Sequence, residues 1–213
     1  MGIRFMAFTP NLIQPDQIQS PQDLFNFCRD ELIIGVKKSK HPFHLCTLCT
    51  VMDGRPFART VVSRGVNPNL TQCRIHSDKR SQKNNHIMQS PHVALVYYSP
   101  IQKLQIRVEG IAQMVSNTND EDYFFDTSSP HSQLCYAFPS PPGTVIEEKT
   151  KERRYPQITI YDIDAHKSSA RTNFSAISIT IQSMDALWLS KSEHIRMHGQ
   201  RIDNAWDLKF IIA

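Results

Sequence analysis

Two extended runs, FHLCTLCTVM (43–52) and RPFARTVVSR (55–64), are separated by only Asp53-Gly54. Aspartate and glycine accept the positive φ angles of a tight two-residue turn, and the flanking runs are rich in apolar and β-branched residues. An antiparallel hairpin follows, and it commits this part of the chain to a β-rich fold. Strand-like runs continue at TQCRIHS (71–77), HVALVYYS (92–99) and LQIRVEGIAQMV (104–115), then at FSAISITIQS, DALWLS, HIRMHG and AWDLKFIIA. Ahead of the hairpin, SPQDLFNFCRDELIIGVKKSK reads as a helix with Ser20 as N-cap and Pro21 at the first helical position. Leu24, Cys28, Leu32 and Val36 form its apolar stripe, and Lys37, Lys38 and Lys40 suit its C-terminal end. Residues 80–89 read as a short polar helix capped near Arg80-Ser81, and NDEDYFFDT and HSQLCYAF also look helical. PSPPG (139–143) then interrupts regular structure. The expected organisation is a single domain over 1–213, with an irregular arm at 1–19 and an irregular excursion at 139–172. Within that excursion QITIYDI is either a strand or part of the irregular stretch. The fold class is mainly β with α additions. A helix before the strands and another between them favour a barrel over a pure sandwich.

Glycine usage removes several functions at once. There are seven glycines and no two lie within ten residues of each other, so neither a G-x-G-x-x-G loop nor a Walker loop can be built. Any phosphate must be held largely by side chains. Hydrophobic residues at 40% and charged residues at 21% are ordinary for a soluble globular chain. The net charge of +4 suits an anionic ligand but does not demand nucleic acid. No apolar run is long enough to cross a bilayer, and the N-terminus lacks the pattern of a signal peptide, so a cytoplasmic location is expected. Five scattered cysteines read as reduced thiols. Cys46 and Cys49 form one C-x-x-C, but strand geometry sends them to opposite faces and no second pair completes a zinc site.

Three stretches could carry chemistry. In RTVVSRG a strand places Arg59, Val61 and Ser63 on one face and Thr60, Val62 and Arg64 on the other. Taken alone, it reads as a structural strand. SDKRSQK places Ser77, Arg80, Ser81 and Lys83 where a strand passes into a helix, a setting in which hydroxyls, cations and helix N–H groups complement phosphate. Such a cluster is more often a solvated face. In HIRMH a strand aligns His194, Arg196 and His198 on one side. A helix would instead pair the two histidines as metal ligands, with nothing nearby to complete the set, so no metal is expected.

The order and spacing of these elements resemble the pyridoxamine 5′-phosphate oxidase family, the FMN-binding split barrels, in a divergent oxidase-like branch. The markers are RTVVSRG, IHSDKRSQK, LQIRVEG, DYFFDT followed by HSQL, LW followed by EHIRMH, and DNAW. The resemblance implies an antiparallel Greek-key split barrel with peripheral helices that binds FMN. It assigns cofactor contacts to Arg59, Val61, Val62, Arg64, His76, Ser77, Arg80, Ser81, Lys83, Gln105 and Trp188. Arg64, Tyr123 and Ser132 would contact the phosphate of a substrate, and Arg196 and His198 would lie over its ring as the catalytic pair. Three family features are missing, one of them the usual C-terminal Arg-Leu-x-Pro, replaced here by KFIIA. The arginine for the substrate phosphate is absent near Thr127 and Ser128, and a flavin-binding arginine falls on Gln200, with Arg201 one place later.

The family resemblance further implies a homodimer and a small-molecule substrate such as a B6 vitamer phosphate. The implied reaction is hydride transfer from the substrate C4′ to the flavin, with O₂ as the final acceptor. Turnover of another small molecule, and a flavin-binding module without turnover, stay open at this level. A nucleic-acid-binding barrel ranks last, because the basic stretches carry no interleaved aromatics.

Overall fold

A computed structural model describes residues 12–145, 163–190 and 193–213. Most of QITIYDI and the first eleven residues of the expected arm lie outside them. Ser20 opens α1 (Pro21–Lys37) with a capping box: its hydroxyl accepts from the Asp23 N–H while the Asp23 carboxylate accepts from the Ser20 N–H. Such a cap contributes about 1 kcal/mol. Leu24, Phe25, Cys28 and Leu32 are buried on the inner face of α1, each large apolar side chain contributing roughly 1.5–3 kcal/mol. Glu31 is buried on the same face and accepts from Gln102 Nε2. The Phe43 N–H donates to His41 Nδ1, which leaves the proton on Nε2 for donation to Glu31.

The strands are β1 (Leu45–Met52), β2 (Arg55–Val66), β3 (Gln72–Asp78), β4 (His92–Ser99), β5 (Leu104–Met114), β6 (Phe174–Leu189), β7 (His194–Ile202) and β8 (Ala205–Ile211). They form one antiparallel sheet in the order β3-β2-β1-β4-β5-β6-β7-β8. Pairing of β3 with β6 closes the first six into a barrel, and β7 and β8 continue past the seam. Because β4 returns beside β1 after the β1–β2–β3 meander, the connection is a Greek key. Helix α2 (Gln82–Gln89) lies within that return. Asp53 (φ 51°) and Gly54 (φ 73°) make the expected β1–β2 turn. Period-two alternation points Cys46, Leu48, Val61, Cys73, Ile75, Leu95, Tyr97, Ile106 and Val108 inward.

Helices α3 (Thr118–Asp126), α4 (Pro130–Leu134) and α5 (Ile163–Asn173) fill the connection from β5 to β6. Two local expectations are revised. FSAISITIQS and DALWLS are one strand, β6, in which Ile181 pairs with Gly110 and Ser183 with Glu109, so Gln182 bulges where the sequence suggests a break. Residues 163–173 form a helix where an irregular excursion is expected. That helix is mostly polar and, among its described side chains, buries only Ala170 fully, so its apolar periodicity is too weak to read. Arg171 ties it to α3 through Asp122 and Glu121. Among the described residues no helix is long and apolar enough to cross a membrane.

Candidate functional site

Arg59 shares the inward-facing row of β2 with Val61 and Ser63, but lies toward the barrel end where α2 packs. Its Nη1 donates to Thr50 Oγ1 (2.7 Å) and to the Leu48 carbonyl (3.3 Å). Thr50 Oγ1 also meets His86 Nδ1 at 3.0 Å. Lys83 Nζ, from the first turn of α2, donates to Ser81 Oγ (2.8 Å) and Ser77 Oγ (3.0 Å). Burial pushes the Lys83 ammonium pKa below its ordinary value, and the nearby Arg59 charge pushes it further, against the opposing pull of Asp78. Burial and Arg59 likewise hold His86 low. Among the described residues neither Arg59 nor Lys83 forms an ion pair. Two cations and the hydroxyls of Thr50, Ser77 and Ser81 thus converge without a carboxylate of their own. That donor set fits a phosphate.

Arg80 is bonded differently. Nε and Nη2 grip Asp78, and Nη1 and Nη2 donate to the carbonyls of Pro139 and Phe138. It fastens the loop after α4 to the end of β3. The Asp78-Lys79-Arg80 spacing, a carboxylate two residues before a guanidinium, is the signal that separates Arg80 from Lys83.

A second group forms on the outer face of β2 and β3 beneath α3 and α4. Arg64 Nη2 donates to Ser132 Oγ at 3.1 Å, joining two residues 68 apart in sequence. His76 packs edge-on to Phe174 and lies beside Phe124, and both of its ring nitrogens are buried without a partner. Burial first, then the charges of Arg64 and Arg74, push its pKa down to about 3, so His76 is neutral. Tyr123 is 64% exposed on α3, its ring 5.8 Å from that of Phe124.

A third group stands on the outer face beyond the seam. Asp185 is nearly buried between Arg196 and Arg107, with Oδ2 3.0 Å from Arg196 Nη2 and 3.1 Å from Arg107 Nη2. His198 is Asp185's cross-strand partner. Alternation puts Arg196, His198 and Gln200 on one side of β7 and Arg201 on the other, where Arg201 lines a cavity with Phe25 and Trp206. Arg201 therefore cannot stand in for Gln200 by a one-residue offset. Gln105 sits on the outer face of β5 opposite Tyr98 and Leu187. Val62 faces outward opposite Leu45, whereas the Val61 side chain packs in the core. Trp188 is also in the core, its Nε1 donating to the Gln102 carbonyl. One chain thus brings Arg59, Ser77, Ser81 and Lys83 together and, separately, Arg64 with Ser132 beside His76. Among the described residues no hydrogen bond or ion pair joins Arg196 or His198 to either group.

Residues 28–116 match the family model described as pyridoxamine 5′-phosphate oxidase, FMN-binding domain. The chain has the fold of the FMN-binding split barrels, and its matched stretch is similar to the pyridoxamine 5′-phosphate oxidase FMN-binding domain. The matched model is an FMN-binding domain, and it supports FMN as the cofactor. A pyridoxine/pyridoxamine 5′-phosphate oxidase of Actinobacillus pleuropneumoniae serotype 5b is 30% identical over 104 residues, 49% of this chain and 48% of that protein. The chain spans about half the length of that relative. Pyridoxine/pyridoxamine 5′-phosphate oxidase 2 of Arabidopsis thaliana is 25% identical over 134 residues, 58% of this chain and 68% of its own. Among solved structures, a pyridoxamine 5′-phosphate oxidase-related, FMN binding protein from Nostoc punctiforme superposes with a TM-score of 0.66. It is 23% identical, covering 87% of this chain and 95% of its own. PhzG from Burkholderia lata, in complex with tetrahydrophenazine-1-carboxylic acid, gives a TM-score of 0.68 at 14% identity over 94% and 98%. At those identities the structural likeness concerns the fold.

Sequence reasoning missed Thr50, His86 and Arg74. Thr50 could have been found: it continues the inward row Cys46, Leu48, and a polar residue in such a row needs a buried partner. His86 in a polar helix and Arg74 in an alternating strand carry no comparable signal.

Proposed function

We propose that this protein is an FMN-dependent oxidoreductase that oxidises a small phosphorylated substrate in the manner of pyridoxamine/pyridoxine 5′-phosphate oxidases, with O₂ as acceptor. The observation that carries this reading is the convergence of Arg59, Lys83, Thr50, Ser77 and Ser81 without a carboxylate counter-ion. Arg59 and Lys83 would neutralise the FMN phosphate, and the Ser77 and Ser81 hydroxyls would fill its remaining acceptor sites. When bound, FMN supplies two-electron redox chemistry; the chain's share is orientation and electrostatics. Arg64 and Ser132 would hold the substrate phosphate. Arg196, kept in place on the sheet face by Asp185, would orient the substrate ring, and His198 beside it would complete the contact.

In this reading the site is assembled from two copies of the chain. Arg196 and His198 lie beyond the seam and away from the Arg59 group, so a C₂ partner is needed to bring both sets to one ligand. The outer sheet face offers Leu45, Val51 and Tyr98, between 39% and 51% exposed, for such a contact.

The test is an absorbance spectrum of purified protein, then anaerobic stopped-flow mixing with pyridoxamine and pyridoxine 5′-phosphates. A bound flavin that bleaches supports the oxidase. A flavin that stays oxidised at millimolar substrate removes the named activity and leaves an FMN protein acting on another small molecule.

A further inference from the structure

Arg74 stands on the outer face of β3, packed on several sides. Its Cζ lies 3.5 Å from the centre of the Phe124 ring, a close cation–π stack. Its cross-strand partner Gly65 also lies against it: a Cβ there would come within 3.0 Å of Arg74 Cζ and 3.1 Å of Nη2. The β2–β3 register shift between Ser63 and Gly65 occurs at the same place. Arg74 Nη2 donates to the Arg64 carbonyl at 3.1 Å, and its Nε is buried without a partner. The guanidinium is therefore packed against both a glycine and an aromatic ring, and its Nη2 is tied to the backbone of the residue whose own guanidinium meets Ser132.

Among the described residues no carboxylate forms an ion pair with it. Among the described residues of α3, Glu121 pairs with Lys79 and Arg171, and Asp122 with Arg171. Asp126 pairs with Lys167. Asp120 lines a cavity of about 340 Å³ together with Arg74 and Phe124 but forms no ion pair with it. Arg64 likewise forms no ion pair among the described residues. Arg64 and Arg74 stand on neighbouring strands, both near enough to His76 for their charges to act on it; with the Ser132 hydroxyl on Arg64 and only Asp120 beside Arg74, the group keeps a net positive charge. A phosphate monoester, carrying about −1.5 to −2 at neutral pH, is drawn to positive charge of this kind.

We infer that Arg74 is a specificity-determining residue: with Arg64 and Ser132 it forms the receptor for the phosphate monoester of the substrate. It would supply from β3 the guanidinium missing from the stretch around Thr127 and Ser128. The inference rests on the proposed function only in taking the ligand to be a small phosphorylated molecule, and its test does not need turnover.

The experiment titrates the full-length, flavin-loaded protein with pyridoxine 5′-phosphate and with pyridoxine, following binding by calorimetry. Wild type should bind the phosphate ester more tightly than the free alcohol. Arg74→Ala should weaken the ester roughly ten- to a hundredfold, the range for losing a charged hydrogen bond, while pyridoxine affinity and flavin content stay unchanged. Gly65→Ala keeps the charge but pushes the guanidinium off its seat, and should lower the preference for the ester in the same direction. A wild type without preference for the ester, or an Arg74→Ala protein that keeps it, overturns the inference. Equal loss of both compounds on Arg74→Ala also overturns it, because that marks a merely structural role. If the Arg74-dependent preference holds while the flavin is never reduced, the oxidase reading fails and the phosphate receptor stands. Reduction of the flavin without any ester preference does the reverse.

Discussion

Arg196 grips Asp185 through two nitrogens, Nε at 3.1 Å and Nη2 at 3.0 Å from the same carboxylate oxygen. An arginine fixed this way keeps one orientation without substrate, at the cost of part of its charge. Arg196→Ala and His198→Ala should retain FMN and lose flavin reduction. Asp185→Ala should destabilise the fold by about 1–2 kcal/mol in urea unfolding, less than a fully buried pair would cost because both arginines reach solvent. If Arg196→Ala releases the flavin, Arg196 holds cofactor rather than substrate.

Arg59→Ala should weaken FMN binding by about 2–4 kcal/mol, since it removes a charged hydrogen-bond donor and leaves a partner unpaired. Lys83→Ala should move affinity in the same direction. Arg80→Ala should instead lower thermal stability with little effect on FMN, because its donors are committed to Asp78 and to the loop carbonyls. Fluorescence titration of apoprotein with FMN, read beside melting curves, separates the two behaviours.

Light scattering should find a dimer that carries two FMN. Ala94→Arg, on the outer face of β4 opposite Cys49, should place a charge in the contact, giving monomers that lose flavin. A monomer that still holds FMN tightly would contradict a site shared between copies.

His76 predicts a pH dependence with a definite sign. Its folded pKa, near 3, lies below the unfolded value of about 6.5, so the unfolded chain binds the extra proton first as pH falls. Stability from this group is complete above about pH 6.5 and is lost on acidification, by at most about 1.4 kcal/mol per pH unit down to pH 3. Urea unfolding between pH 7 and pH 5 should show a shallower loss in His76→Gln than in wild type. Parallel slopes would mean that His76 titrates normally.

Local signals were legible wherever one residue decides a backbone state. Asp53-Gly54 marked the hairpin, and Ser20-Pro21 marked the start of α1. The faces of RTVVSRG followed from alternation alone, with Arg59 and Arg64 on opposite sides as observed. What stayed hidden depends on which strands become neighbours. Arg64 meets Ser132, and Arg59 meets Thr50 next to His86, through pairings that a linear pattern does not encode. The resemblance names Arg80 and Trp188 as cofactor contacts; within one chain Arg80 bonds Asp78 and the loop carbonyls, and Trp188 packs in the core. Helix α5 escaped because its polar sequence is stabilised by Arg171 reaching α3, a tertiary contact rather than a periodic stripe.

The seam between β3 and β6 has a consequence for how the molecule comes into being. Cys73 pairs with Ile179 and His76 with Ala176, so the barrel closes only when the late part of the chain meets the early part. During synthesis, β1 to β5 leave the ribosome with one edge of β3 and one edge of β5 open, and both wait for the same strand. Closure of this kind is slow, because a long loop must be ordered before the contacts reward it. The nascent chain therefore passes through an interval with two unpaired edges and an unformed Ser77–Lys83 corner, which is when aggregation competes with folding. Flavin can assist only after that interval. A truncation that removes β6 should leave an aggregating product rather than a smaller flavoprotein.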